Sequence, residues 1–583
     1  MDCQVVHICD CIPARIRHAL VEFPETLDET YERTLRGINK ANWEYTHRMF
    51  QFVSVASRPL HVKELADLLA FDFEAGSIPE FYEDWRLEDP ADAVLSTCST
   101  LVAIVNDQGS LVIQFSHFSV KEFLTSTRLA ESSDIISRHY HVSMTPAHTL
   151  VAQACLGVLL HLGKDVTSDN LEHFPLAKYA AGHWVDHARF EGVSRNVEDG
   201  MKQLFNPRKP HLAICVWIND LALPTWMRMT RNKTPLPPHQ TSLHYAASWG
   251  LHPVVEFLII EHSQDVCSRN STNNATPLHL ASRNGHVKAA CKLIEHGADV
   301  SAQNNGGATP LHLALEKRQI EVARMLIERG ADLTAQNNDG KTPLHLASQM
   351  GQVDAARMII ERGADLTAQH NDGNTPLHLA LYCGQVEVAR MLIERGADPT
   401  TRNWVGQTPL YLASYCGHVD VARMLIERGA DLTTQNNDGW TLLHLASQMG
   451  QVDVARMLIE HGADLTAQDD YEWTPLHLAS QSGQVDVARM LIERGADLGT
   501  RSRVGQTSLH LASFCGQVVV ACMLIERGAD VTAQNNVGKT SLHLASQMGQ
   551  VDVARMLIKC GADPTAQDND GEILYISCRT ADE

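Results

Sequence analysis

At 583 residues the chain is too long for one hydrophobic core, so two to four domains, or a domain joined to a solenoid, are expected. Hydrophobic and charged shares of 44% and 20% exclude a disordered chain. Lys plus Arg total 48 against 69 Asp plus Glu, a net charge of −21 that repels phosphate backbones and anionic membranes. No nucleic-acid or membrane partner is therefore expected, and no small-molecule substrate is expected either. The start, Met1-Asp2-Cys3-Gln4, has no charged stretch followed by an apolar core, so no secretory signal is read there. The most apolar runs, such as Leu212 to Ile218, are far short of the roughly 20 residues of a membrane span. Fourteen cysteines without an export signal read as reduced thiols, and a cytoplasmic location is expected.

In chain order, residues 1–25 read as the remnant helical tail of an upstream module. Cys3, His7, Cys9 and Cys11 are zinc-ligand types, but their spacing is irregular and no second pair follows, so no metal site is expected. Residues 26–130 alternate helix and hairpin signals. Helices are expected from Leu27 and over His61 to Ala66, and strands over Leu101–Val105 and Leu111–Phe115 around the turn Asn106-Asp107-Gln108-Gly109. Helix returns at His117 to Leu124. Helices followed by a two-stranded wing suggest a winged helix. The helix in the recognition position, Val62 to Leu69, is too hydrophobic for a DNA-reading face, so packing within the chain is favoured over DNA binding. A helical region follows over 131–233, and Thr234-Pro235-Leu236-Pro237-Pro238 reads as a stiff linker.

Residues 234–583 are periodic. Thr276, Thr309, Thr342, Thr375, Thr408, Thr441, Thr474, Thr507 and Thr540 each open a TPLHLA-like string, and successive members are 33 residues apart. Thr241 opens a looser unit 35 residues earlier, and Ile573 marks a degraded last one, giving about ten full repeats and a remnant. In the unit from Thr342 to Asn374, Pro343 starts a first helix where its missing N–H costs nothing. Leu344, Leu346 and Ala347 point inward, and Gly351 ends the helix. Val353, Ala356, Met358, Ile359 and Ile360 form the apolar face of a second helix, which Gly363 caps before a polar turn near Asp372-Gly373. A single unit cannot bury its own apolar face, so it must stack on its neighbours. Arg318 stands where other repeats have Gly, predicting a strained or rebuilt helix end. Leu442, Ser508 and Ser541 replace Pro, predicting looser helix starts.

The repeat resembles the ankyrin repeat over about 330 residues, and the whole is read as a mainly α protein: an ankyrin solenoid preceded by a winged-helix domain and a helical region. That resemblance implies a row of structural histidines at the position of His345, with Tyr411 as the exception, rather than metal ligands. It also implies a protein-binding scaffold with no catalysis and no cofactor. In ankyrin proteins the turn tips and first-helix ends line a concave binding face. On it fall Trp404, Trp440, Tyr471 and Trp473 at tips, Tyr382, Tyr415 and Phe514 near first-helix ends, and the softer Met350, Met449 and Met548.

LDETYERTL, ASRPLHVKELADLLA and HFSVKEFL resemble the winged-helix segment that follows the NACHT module in fungal NACHT–ankyrin receptor-like proteins. No GxxxxGK[ST] loop occurs: Gly340-Lys341-Thr342 and Gly538-Lys539-Thr540 imitate its tail, but Ala335 and Ala533 stand where its first Gly belongs. No GxSxG nucleophile elbow occurs either. The expectation is a recognition arm without its NTPase. The alternatives are a fragment or subunit of a signal-transducing NTPase, and a winged-helix DNA binder.

A second period of 99 residues overlies the first: SQMG recurs at Ser348, Ser447 and Ser546. Comparing the two copied blocks, the largest differences crowd at turn tips, with His370-Asn371-Asp372-Gly373-Asn374 facing Asp469-Asp470-Tyr471-Glu472-Trp473.

Overall fold

The structure, a computed structural model, describes residues 26–571 apart from 75, 77, 87, 99, 108, 223–233, 236–238 and 437. The expected tail over 1–25 with its cysteine–histidine group, most of the Thr234–Pro238 linker and the degraded unit at Ile573 lie outside the described residues. The chain divides into two compact units. One runs to Ala281 and includes Lys288–Ala298, and the other comprises Ser282–Val287 and the chain from Asp299.

In the first unit, α1 (Leu27–Arg36) starts at Thr26, whose hydroxyl accepts from the Glu29 N–H at 3.2 Å. Next come α2 (Trp43–Val55), β1 (Leu60–His61), α3 (Val62–Leu69), β2 (Phe71–Asp72), β3 (Glu80–Phe81) and α4 (Pro90–Cys98). The expected wing forms from β4 (Val102–Asp107) and β5 (Ser110–Phe115), paired antiparallel with Ile104 opposite Ile113. Two features escaped the sequence reading: β1 joins the wing to give the order β1-β5-β4, and β2 pairs with β3 as a second small sheet. Strands of two residues carry too little alternation to be recognised.

Helix α3 is inside the protein. Val62, Leu65, Ala66 and Leu68 are buried together with Glu64 and Asp67. Two buried acids need partners. The Arg58 guanidinium donates to Glu64 at 2.8 Å, and the Glu64 carboxylate also accepts from the His61 N–H, capping the helix. Asp67 accepts from Arg86 Nε at 2.7 Å and from the Leu176 N–H at 3.0 Å, which ties α3 to the helical region. That region contains the 18-residue helix Met144–His161 and the helices Leu176–Ala188, Glu198–Phe205 and His211–Ala222. Trp184 is fully buried and meets Trp249 and Phe205 edge-on, with centroids 5.8 and 6.3 Å away. Trp249 ends the first helix of the Thr241 repeat, Ser242–Ser248. The helical region thus covers the apolar face that an end repeat would otherwise expose.

In the second unit each repeat is a pair of short antiparallel helices joined by extended tips. The unit opened by Thr342 has helices Pro343–Gln349 and Val353–Glu361, with Gly351 and Gly363 left-handed at φ 67° and 85°. Leu344, Leu346 and Ala347 are buried as expected. On the second helix the buried set is Ala355, Ala356 and Ile359, while Val353, Met358 and Ile360 are only half-buried. Close stacking admits a small residue where the periodicity suggested larger ones. Arg318 adopts the glycine geometry, φ 59°, and its guanidinium donates to the Met350 carbonyl at 2.9 Å. Leu442, Ser508 and Ser541 do not loosen their helices: each is buried, and Thr441, Thr507 and Thr540 keep their capping boxes. The threonine cap, not the proline, fixes the helix start. Among the described residues, no helix is long and apolar enough to cross a membrane.

Candidate partner-binding face

The tips are built by backbone hydrogen bonds handed from one repeat to the next. The Asn371 N–H donates to the Asp339 carbonyl at 3.0 Å, and the Trp404 N–H to that of Asp372 at 3.1 Å. Where Asn occupies this position its amide reinforces the link: Asn371 Nδ2 donates to the Asn338 carbonyl at 2.8 Å, and Asn536 Nδ2 to that of Arg503 at 2.9 Å. Trp404, Asp470 and Arg503 replace Asn in this ladder. Replacing an asparagine that stabilises the tip by an indole with 74% of its surface in solvent gains nothing for the fold.

Beneath the tips runs the row of histidines. His345 Nδ1 accepts from the Thr342 N–H at 3.2 Å and pairs with the Thr342 hydroxyl at 2.8 Å. Its Nε2–H donates to the Asn374 carbonyl of the next tip at 3.0 Å. These partners fix a neutral imidazole, and the same arrangement recurs at His378 and His477. Burial pushes all three down to about 4. The row is structural, as the resemblance implied. Among the described residues, no cluster of His, Cys, Asp or Glu could hold a metal ion.

Helix ends and tips share one face. Lys341 Nζ donates to Gln349 Oε1 at 3.0 Å, and in the equivalent pair Lys539 Nζ donates to Gln547 Oε1 at 3.3 Å. The expected partner-binding residues are distributed over this face unevenly. Tyr382, Trp404 and Tyr471 are largely exposed, at 68%, 74% and 63%. Tyr415, Phe514, Met449 and Met548 are exposed to a lesser degree, whereas Trp440, Trp473 and Met350 are half-buried. Trp404 lies over Gly373, where an added Cβ would meet its Cδ1 at 2.5 Å, so that glycine makes room for the indole.

One residue missed from the sequence is Glu472. It sits at φ 62° where the neighbouring tips have glycine: Gly439 at φ 79° and Gly505 at φ 77°. Its carboxylate faces Arg503 at 4.0 Å, and Arg503 is itself an asparagine replacement. The 33-residue alignment could have shown both departures. Strain of this kind costs of order 1 kcal/mol and is retained at functional positions. Glu472→Gly is expected to raise the denaturation midpoint, a gain of about 1 kcal/mol. An unchanged midpoint would show that this tip carries no strain.

A family model described as ankyrin repeats (3 copies) matches overlapping segments from residue 243 to 568, and the chain belongs to the ankyrin-repeat family. A second, described as GPI inositol-deacylase, winged helix domain, matches residues 31–135. The chain is also similar to the azaphilone pigments biosynthesis cluster protein L of Monascus ruber. The two are 28% identical over 297 residues, which cover 48% of this chain and 61% of that protein.

Proposed function

We propose that this protein is a non-catalytic protein-interaction scaffold, the recognition arm of a fungal receptor-like system of the NACHT–ankyrin type, acting in the cytoplasm through the tips and first-helix ends of its repeats. The observation that carries this reading is Trp404: a copied repeat has exchanged a tip-stabilising asparagine for an exposed indole. Exposed large aromatics are the side chains that dominate protein–protein binding energy. Ankyrin repeats are generally a protein-binding, non-catalytic fold, and the fungal source of the relative fits the fungal reading. The winged-helix match supports kinship with receptor-like chains, and so also the second reading, a subunit of a signal-transducing NTPase. Burial of α3 argues against its use as a DNA-reading helix, because Leu65 and Leu68 are inaccessible.

The test is capture of partners by the full chain and by a Tyr382→Ala, Trp404→Ala, Tyr471→Ala variant, all three positions being solvent-exposed. A protein retained by the first is expected to be lost by the second, with binding weakened at least about tenfold. Undiminished capture by the folded variant would remove this face as the binding site.

A further inference from the structure

Each of five successive repeats puts one aromatic and one amide at two fixed positions, the residue before the opening Thr and the end of the first helix. The pairs are Asn374 with Tyr382, Gln407 with Tyr415, Trp440 with Gln448, Trp473 with Gln481, and Gln506 with Phe514. The aromatic changes sides twice, yet no repeat in this run has two or none. On both flanks the same positions hold Lys341 with Gln349 and Lys539 with Gln547, and there each pair closes on itself through a hydrogen bond. Those bonds also show that the two positions face each other across one surface. Among the amides, Asn374 and Gln407 are committed to the tip through Asn403, at 2.8 and 3.2 Å. Among the described residues none pairs with the side-chain amides of Gln448, Gln481 or Gln506, whose backbone carbonyls accept from Gln484, Gln517 and His477. Free primary amides offer both a donor and an acceptor, which is what the backbone of an unpaired extended chain needs.

We propose that these five repeats form a track for an extended, basic polypeptide segment of a partner, a reading that rests on the protein-binding function above. Repeats stack about 10 Å apart, and an extended chain advances about 3.3 Å per residue, so successive aromatics meet every third residue. Lys or Arg side chains at that spacing lie over the rings, while Gln448, Gln481 and Gln506 hydrogen-bond the intervening peptide groups. The charge of the surroundings selects a cation. The chain carries −21, and the tips expose the carboxylates of Asp372, Asp438 and Asp470. The neighbouring guanidinium groups are engaged: Arg402 donates to the Gln435 carbonyl, Arg501 to the Gln534 carbonyl, and Arg503 faces Glu472. The closed Lys341 and Lys539 pairs, being cationic, end the track at both sides.

The probe is a fluorescent peptide of five Arg-Thr-Val triplets, about 15 residues and long enough to span five repeats. Its binding to the full chain is followed by anisotropy, beside a shuffled peptide of the same composition and one with Glu for Arg. The regular peptide is expected to bind about tenfold or more tighter than the shuffled one. Tyr382→Ala/Tyr415→Ala, at exposed positions, and Gln448→Ala/Gln481→Ala should each weaken it several-fold without changing the thermal midpoint. Equal binding of regular and shuffled peptides, preference for the Glu peptide, or indifference to both variants would overturn the proposal. If the peptides fail while a captured protein still depends on Tyr382 and Trp404, the track falls and the scaffold reading stands. If both fail, the scaffold reading falls too.

Discussion

The protein is expected to lose stability steeply between pH 6.5 and pH 4 as its buried histidines titrate. His345, His378 and His477 sit neutral between a threonine and the next tip, and burial holds each near 4 against 6.5 for the free side chain. The sign follows from proton linkage. Above pH 6.5 neither state binds the proton. Below it the unfolded chain takes protons that the folded histidines refuse, so unfolding is favoured progressively until about pH 4. One pKa unit is worth about 1.4 kcal/mol, so each of the three contributes roughly 3 kcal/mol over this window. Their sum, on the order of 10 kcal/mol, equals the whole stability of a typical domain. His187, in the first unit, adds in the same direction, since burial pushes it down to about 3. The tip aspartates act later. Asp332, Asp365 and Asp530 are held below the ordinary carboxylate range by hydrogen bonds from Thr334, Thr367 and Thr532, so their contribution disappears only as pH falls below about 4. Urea midpoints by circular dichroism at pH 7, 5.5 and 4.5 check this. Midpoints that do not fall across that series would mean that the imidazoles are protonated in the fold.

Asp67→Ala removes about 3 kcal/mol from the first unit. Asp67 has no exposed surface, and two partners depend on it: the Arg86 guanidinium and the Leu176 N–H. Burial raises its carboxyl pKa even though Arg86 opposes this, so the ion pair by itself contributes little. The loss comes from what remains after truncation: a buried N–H without an acceptor at the start of helix Leu176–Ala188, and a guanidinium without its counter-charge. Arg86 keeps its hydrogen bond to the His173 carbonyl and its place over Phe81, so it stays partly held and cannot swing out to compensate. Asp67→Asn, which keeps an acceptor for Leu176, is expected to cost less than Ala. The check is the urea midpoint followed by tryptophan emission, with Trp184 inside this unit as reporter. Equal losses from Asn and Ala would place the effect in charge and not in the orphaned N–H.

The sequence alone determined the repeat array. Thirty-three-residue spacing, Pro after Thr and Gly at each helix end specify local geometry that every copy repeats, so the resemblance of one unit carried over to all. It also marked the tip aromatics, because copied blocks make each departure visible. Tertiary structure decided the rest. It put Trp404, Tyr382 and Tyr471 in solvent and half-buried Trp440 and Trp473. It showed that Thr caps make the missing prolines harmless, and that Glu472 takes a conformation its residue type disfavours. It buried α3 under the helical region through Asp67, Arg86 and Leu176, residues up to 109 positions apart. Periodicity is a local property and is written in the chain. Burial and partner choice are set by what stacks on each surface, and that exists only once the units have packed.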